Sequence, residues 1–431
     1  MSNLNLIPIG KLFDLEKGSL QSSKCTEGEY TFITAAEEWK TNNEYSHECE
    51  ALIFAAAASG SLGRTHYIND KFITSDLCFI LTPKDSKYPI NLKFYHFVFN
   101  SLKDEIVKNT KSGTSKESIN QSNLRNYEIP YFEIDKQNLW IDKLVNTKLI
   151  KEDLELELST GQSLLKQLKQ TILQEAIEGK LTEKWRVKNP DIGTAKELLE
   201  QIKTEKEKLI KEKKIRPSKP LSPINEDEIP FDIPQSWEWC RLGEIANGFQ
   251  YGTSTKSKIN GKVPVLRMGN IQNGRVLLEE LVYTDNESEI EKYSIEYNDL
   301  LFNRTNSREL VGKTAIYSFQ EKAIYAGYLI KYSMILSNSH YINYVMNSPF
   351  HYQWCAKVRS DAIGQSNINA TKLQSYIVPL PPLEEQKEIV ATIEKLFEIC
   401  DELESEINQN KTTVDNLMAT VLKEAFGDEN V

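Results

Sequence analysis

Cysteine is sparse and scattered: Cys25, Cys49, Cys78, Cys240, Cys355 and Cys400 include no C-x-x-C pair. Structural zinc and redox dithiols need ligands within a few residues of one another. Neither is expected, and the thiols should be reduced and buried. The five histidines are equally dispersed, without an evident metal or nucleophile partner. Long apolar runs are also missing, since the longest, Ala51 to Ala58, falls far short of the ~20 residues of a membrane span. Met1-Ser-Asn-Leu-Asn-Leu-Ile-Pro has no basic n-region and no long apolar h-region, so no signal peptide is expected. A soluble, cytoplasmic chain without membrane association follows. Basic excess is absent too. Lys and Arg number 52 against 62 Asp and Glu, a net charge of -10. That balance argues against a protein that wraps nucleic acid unaided, while leaving room for local basic patches.

What is present can fill real cores. Of 431 residues 40% are hydrophobic and 10% aromatic, too rich for a disordered chain. The length allows about three folding units at roughly 150 residues each. Catalytic signatures fail: there is no Walker loop, no H-E-x-x-H and no G-x-S-x-G. Asn347-Ser-Pro-Phe350 echoes an Asn-Pro-Pro-Tyr methyltransferase site but lacks the second proline and a preceding Gly-rich loop, so it reads as a helix end. Pro190-Asp191 with Glu212-Lys-Lys214 fits a nuclease pattern only loosely, because a Lys/Glu-rich helix produces Glu-x-Lys by composition. No catalytic residue, cofactor or metal is expected.

The chain repeats itself. Ile119-Asn-Gln-Ser-Asn-Leu-Arg-Asn-Tyr-Glu-Ile-Pro130 resembles Ile368-Asn-Ala-Thr-Lys-Leu-Gln-Ser-Tyr-Ile-Val-Pro379 at an offset of 373 − 124 = 249 residues. The offset persists through Gln137 and Gln386, Ile150 and Ile399, Leu154 and Leu403, Leu168 and Leu417, and upstream at Gly63-Arg-Thr65 and Gly312-Lys-Thr314. Such register means two copies of one plan, a mixed globular unit followed by a long helix. In the second helix Ile389, Ile393, Leu396, Cys400, Leu403, Ile407, Val414, Leu417 and Val421 alternate steps of four and three, a heptad seam broken at Asn410. The first reads more weakly: Trp140, Leu144, Leu154, Leu158, Leu165, Leu168 and Ile172, with Thr147 and Lys151 on the seam and Gly161 opposite Asn410 in the repeat. Two such helices suit an antiparallel coiled coil; the alternative is that each packs on its own globular unit.

Between the copies, Ala195 to Ile215 reads as a charged helix with a solvated face. Arg216-Pro-Ser-Lys-Pro-Leu-Ser-Pro223 stops it. Val263 to Ile271, Asp299 to Phe302 and Ala323 to Met334 read as strands or strand-rich stretches, and His340 to Val358 as a helix whose counterpart is Asn91 to Val107. The expected division is 1–138, a first globular domain; 139–236, helix and linker; 237–382, a second globular domain; and 383–431, the distal helix.

Local charge is informative. Phe249 to Arg275 holds Lys256, Lys258, Lys262, Arg267 and Arg275 and no acidic residue, among Gln250, Asn260, Asn270, Gln272 and Asn273 and several glycines. Asn303-Arg-Thr-Asn-Ser-Arg308 and Lys313 repeat the character. Basic groups neutralise phosphates, while Asn, Gln and Arg can bond base edges in pairs. Polar surface loops are the plainer alternative.

Four motifs, in order, carry a resemblance. They are Thr171-Ile-Leu-Gln-Glu-Ala-Ile-Glu-Gly-Lys-Leu-Thr-Glu-Lys-Trp-Arg186, Trp237-Glu-Trp-Cys-Arg-Leu-Gly-Glu-Ile245, Asp299-Leu-Leu-Phe-Asn-Arg-Thr-Asn-Ser-Arg-Glu-Leu-Val-Gly-Lys-Thr314 and Pro379-Leu-Pro-Pro-Leu-Glu-Glu-Gln-Lys-Glu-Ile-Val390. Together they resemble the specificity (S) subunits of type I restriction–modification systems, over essentially the whole chain. The resemblance implies mixed α/β target recognition domains in two copies, separated by long conserved helices forming an antiparallel coiled coil. It further implies a non-catalytic subunit in which each domain reads half of a split, asymmetric site in double-stranded DNA. The implied partners are two adenine-N6 methyltransferase subunits and the restriction (motor–nuclease) subunits. DNA contact is then expected at Lys256, Lys258, Arg267, Arg275, Arg304, Asn306, Arg308 and Lys313. In the first copy it is expected at Gln21, Ser22, Ser23, Lys24 and Arg64. Subunit contact is expected on exposed faces of the two long helices, with Leu380 and Leu383 near the Pro379 signature. The first copy departs from the pattern: it has no Trp-Glu-Trp opening, and Pro130-Tyr-Phe-Glu-Ile-Asp-Lys-Gln137 replaces the Pro-Leu-Pro-Pro-Leu-Glu-Glu-Gln signature. A coiled-coil scaffold would explain the helices but not two copies of basic, Gly- and Asn-rich loops, and a standalone methyltransferase or nuclease would need a cofactor loop or metal carboxylates.

Overall fold

The computed structural model describes residues 5–57, 60–84, 87–112 and 117–426. Met1 to Leu4, and Ala58 at the end of the longest apolar run, lie outside them. The chain divides into two compact units, Met1–Gly161 with Glu406–Val431, and Gln162–Ser405.

In the first unit the apolar run becomes a strand, His47–Ala55, because it is buried on both faces. Leu52 and Phe54 join the core under helix Leu92–Ser101, while Ala51, Ile53 and Ala55 join the cluster on the opposite face. This strand lies inside a six-stranded sheet, in the order Phe13–Lys17, Cys78–Pro83, His47–Ala55, Thr65–Thr74, Tyr30–Ile33 and Lys40–Asn42. Phe94, Tyr95, Val98 and Phe99 seal the helix against it. Of the second unit, the six-stranded sheet runs Gln250–Tyr251, Leu329–Tyr332, Leu300–Asn303, Thr314–Ile316, Arg275–Val276 and Ile271–Gln272. A three-stranded sheet, Val282–Thr284, Val263–Leu266 and Ile324–Tyr325, accompanies it.

The internal repeat has a structural cause at several matched positions. Asn120 and Asn369 both cap short helices, accepting the N–H of Asn123 and of Lys372 at 2.8 and 2.9 Å. Leu124 and Leu373 are both fully buried. The strands that follow, Glu128–Pro130 and Ile377–Leu380, pair antiparallel with Leu6–Pro8 and Glu238–Arg241. The first copy therefore keeps the backbone of the opening strand although it lacks the Trp-Glu-Trp sequence.

Several expectations need correction. His340 to Val358 is two helices, Ser339–Val345 and Pro349–Val358, because Ser348 caps the second and Pro349 occupies its first position. Asn347-Ser-Pro-Phe350 is thus a helix boundary. Asn91 to Val107 is likewise split, into Leu92–Ser101 and Lys103–Thr110. Ala323 to Met334 is strand-rich as expected, with two strands separated by a turn at Gly327. The charged helix Ala195–Lys211 is not simply solvated: Ala195, Leu198 and Ile202 are buried. Lys206 donates to the carbonyls of Gly243 and Ala246 at 2.5 and 2.9 Å. Arg241, 5% exposed, bonds the carbonyls of Ser222 and Pro223 and the carboxylate of Glu228. The Pro-rich stretch is thereby fastened to the second unit. Four cysteines are buried, but Cys25 and Cys49 are only partly so; all six are free thiols.

The long helices are Ile134–Ile177 and Leu383–Phe426, each 44 residues. In the first unit Lys143 pairs with Glu424 at 2.6 Å and Leu144 shares a core with Leu422, while Gly161 lies beside Ile407. The helices are therefore antiparallel. In the second unit Lys169 reaches Asp401 and Glu404 at 2.8 and 2.9 Å, held charged by them against the cost of desolvation. Asn410 is exposed rather than buried on the seam, as are Leu168 and Leu403. Two helices bury a narrow seam, and these side chains rotate out of it. At Gly161 a Cβ would stand 3.6 Å from Ile407 Cδ1, ordinary contact, with nothing nearer. Gly161→Ala is thus expected to stabilise the helix by about 0.5–1 kcal/mol, read as a higher urea midpoint; a lower one would show that the glycine accommodates a close approach. Among the described residues no helix is long and apolar enough to cross a membrane.

Candidate nucleic-acid interface

The two units present loops from matching points of their sheets. Leu20 makes an isolated parallel bridge to Ser75, and Thr253 the same bridge to Ala326. In both, the residue's N–H donates to the carbonyl before its partner, Thr74 or Tyr325. Immediately beyond lie Gln21 to Lys24, exposed around a 3-10 turn at Ser22–Lys24, and the loop carrying Lys256 and Lys258. A second correspondence is the turn Gly-basic-Thr. Gly63 and Gly312 have φ of 79° and 94°, and Thr65 and Thr314 each bond the glycine carbonyl, at 3.4 and 3.3 Å. Arg64 and Lys313 are thus placed alike in their units.

Not all expected contacts are free. Lys256 is exposed and unpaired among the described residues. Lys258 pairs with Asp285 at 3.0 Å, and that bond with the Lys262 N–H holds the Asp285 carboxyl below its usual range. Arg267 is exposed, donating to the Glu280 carbonyl at 2.8 Å. Arg304 is partly buried: its guanidinium lies 4.7 Å from the Tyr251 ring centroid and donates to Asn367 Oδ1 at 3.3 Å. Asn306 accepts from the Ser307 N–H at 2.8 Å. Arg308 is largely exposed and pairs with Asp361 at 3.1 Å. Lys313 donates to Gln272 at 2.9 Å, and burial lowers its pKa. In the first unit Arg64 donates to the Ala35 carbonyl and Ser61 hydroxyl, both at 3.3 Å, with Glu37 3.9 Å away. Arg275 stands apart. It faces the second long helix across a groove lined by Tyr344, Glu394, Phe397, Glu398 and Asp401, because the edge hairpin that bears it turns toward that helix.

The signature around Pro379 proves to be an anchor. Leu380, expected as a subunit contact, is fully buried in the strand paired with Glu238–Arg241, so its side chain is unavailable to a partner. Leu383, at the helix start, is partly exposed. Glu385 is wholly buried and accepts bonds from Thr182 Oγ1, Trp237 Nε1 and Arg186 Nε at 2.7, 2.8 and 2.9 Å. Gln386 donates to the Pro381 carbonyl at 2.9 Å and accepts the Asn338 N–H at 2.8 Å. Its repeat partner Gln137 does the same with Phe132 and Asn91, at 2.6 Å each. The glutamine is thus shared by both copies. The buried carboxylate is not, since Lys136 occupies its place and lies over the Phe132 ring.

The chain matches the family described as "Type I restriction modification DNA specificity domain" over residues 1–158 and 234–410. It is 30% identical over 268 residues to the specificity subunit of the EcoEI type I restriction enzyme of Escherichia coli, covering 59% of this chain and 44% of that protein. The matched stretch is therefore less than half of that relative's length. Identity to the EcoKI specificity subunit of Escherichia coli K12 is 26% over 408 residues, covering 90% of this chain and 76% of that one. A solved chain, from work described as the structural basis of complex assembly and conformational transition of the type I R-M system, shares the fold. Its TM-score is 0.70 at 14% identity, over 100% of this chain and 99% of that one. A duplicated unit with matching loops, two long antiparallel helices and a match across most of its length place this chain in the type I restriction–modification DNA specificity family.

Proposed function

We propose that the chain is the DNA specificity subunit of a type I restriction–modification complex and is itself non-catalytic. Residues 1–138 and 237–382 each read one half of a bipartite, asymmetric site in double-stranded DNA. The observation that carries this reading is the repeated placement of Gln21 to Lys24 with Arg64, and of Lys256 and Lys258 with Lys313, at equivalent points of two units. The acidic net charge is no obstacle, because phosphate neutralisation can be shared with partner subunits. The helical segments, 139–236 and 383–431, would recruit two adenine-N6 methyltransferase subunits, to which the motor–nuclease subunits add. Support comes from apolar side chains left exposed on the first long helix, Leu139, Leu149, Leu156 and Leu164. Such an assembly works in the cytoplasm.

The test is methyl transfer to DNA by the purified chain alone and together with a candidate methyltransferase subunit. Sequence-specific transfer only by the pair is expected, and transfer by the chain alone would overturn the reading. Within the assembled complex Arg308→Ala should leave folding unchanged, since its side chain is largely exposed in the ion pair with Asp361. If Arg308 bonds a base pair, its loss should cost about 1–3 kcal/mol of specific binding and relax one half-site. A phosphate contact would instead weaken all sequences alike and flatten the salt dependence. Arg304→Ala should also lower stability, because that guanidinium joins Tyr251 to Asn367. Unchanged affinity and site preference in both variants would remove the two arginines from the interface.

A further inference from the structure

One exposed side chain outside the basic clusters stands at the tip of a hairpin. Ser360–Ala362 and Gln365–Asn367 form a tight hairpin whose last pair is Ala362 with Gln365. The turn is Ile363-Gly364, with Gly364 at φ 78° and open space around it. Strand Thr305–Asn306 adds a third rung. Ser366, 1% exposed, bonds Asp361 at 2.6 Å, which holds the ribbon in place. Ile363 at the tip is 105% exposed, as open as an isolated residue. Single exposed apolar residues are ordinary on protein surfaces; the surroundings distinguish this one. Four basic side chains touch the hairpin itself: Arg304 at Asn367, Arg308 and Arg359 at Asp361, and Lys372 at Ser360. Among the residues lining the adjoining cleft the acidic ones are Asp361 and Glu309. The base of the ribbon is therefore positive and its tip apolar.

We infer that this hairpin enters the DNA major groove and that Ile363 reads a thymine through its methyl group. The inference rests on the proposed function and adds a specificity-determining residue to it. A two-stranded ribbon fits a groove about 12 Å wide, and the thymine C5-methyl is the apolar group that base pairs present there. The arginines at the base are within the hairpin's reach of the flanking phosphates, which would compete with Asp361 for them. The first copy has a hairpin at the same offset, Lys111–Ser112 with Ser118–Ile119.

The experiment is a coupling cycle on the assembled complex. The site is first read by methylome sequencing of cells carrying the gene. Binding is then measured with wild type, Ile363→Ala and Ile363→Val, on duplexes in which each thymine of the half-site read by the second unit is replaced singly by uracil. At one position the lost methyl should weaken wild-type binding about fourfold. At that position Ile363→Ala should be indifferent to the replacement, and Ile363→Val should retain most of the discrimination. Several outcomes sink the proposal: no coupled thymine, a half-site without thymine, equal weakening on all sequences, or unstacking of 2-aminopurine beside the tip, which would mark a wedge instead. A complex without any sequence preference would instead refute the specificity reading itself. Because Ile363 is fully exposed, these variants should leave the fold unchanged.

Discussion

Glu385→Ala is expected to destabilise the second unit by about 3–5 kcal/mol, the usual cost of removing one partner from a buried ion pair. The truncation leaves Arg186 Nε and the Trp237 indole N–H without their acceptor, and Thr182 loses its own. It also unties the start of the second long helix from Trp237 and from the segment carrying Thr182 and Arg186. Glu385→Gln preserves shape but turns an N–H₂ toward a donor, so an intermediate loss is expected. Neighbouring Glu384 is exposed and pairs with exposed Lys387, and its replacement should change stability by less than ~0.5 kcal/mol. The readout is urea unfolding followed by tryptophan fluorescence, with the three variants side by side. Equal midpoints for Glu385→Ala and Glu384→Ala would show that water takes over the carboxylate's role.

Gly312→Ala should be comparably damaging, about 2–5 kcal/mol. A left-handed backbone costs an L-residue roughly 1–2 kcal/mol, and φ here is 94°. The new Cβ would also sit 2.3 Å from Cys355 Sγ, which is buried and packed 3.3 Å from His351 Nε2; overpacking of this kind adds roughly 1–3 kcal/mol. The double variant Gly312→Ala with Cys355→Ala separates the two contributions. It should recover the steric part and keep the backbone part. No recovery would mean that the strain lies entirely in the main chain. Gly63→Ala is the parallel change in the first unit, where Val107 Cγ2 would be 2.6 Å away.

Much of the architecture was legible because it is written twice. The offset between Leu124 and Leu373 marks caps, buried leucines and strands that recur for the same local reasons, and it pairs Gln137 with Gln386. Upstream the register changes: Leu6 opposes Pro130 as Trp239 opposes Pro379, and Leu20 matches Thr253. An alignment held at one offset therefore misses the matched loops near residues 20 and 253. Other features depend on partners far along the chain. Glu385 looks like any helix-start glutamate, and only Trp237 and Arg186 packed around it make it an anchor. Leu380 reads as exposed in a Pro-Leu-Pro-Pro string and is buried because Glu238–Arg241 pairs with it. Arg275 shares a basic stretch with Lys256 but turns toward a helix more than a hundred residues away in sequence. Ile363 carries no signal in sequence, since its meaning is the turn that lifts it clear.

The first unit is assembled from both ends of the chain: Met1 to Gly161 closes with the segment that begins at Glu406. Leu422 belongs to the same core as Leu144 and Phe94, and Met418 and Val421 pack against it. On the ribosome, then, the unit synthesised first is finished last. Its core waits open while the second unit emerges and folds, a delay of tens of seconds at ~5–20 residues per second. During that interval the uncovered side of helix Ile134–Ile177 is available to chaperones or to a neighbouring nascent chain, and a transcript that stopped short of Leu422 would leave it so permanently.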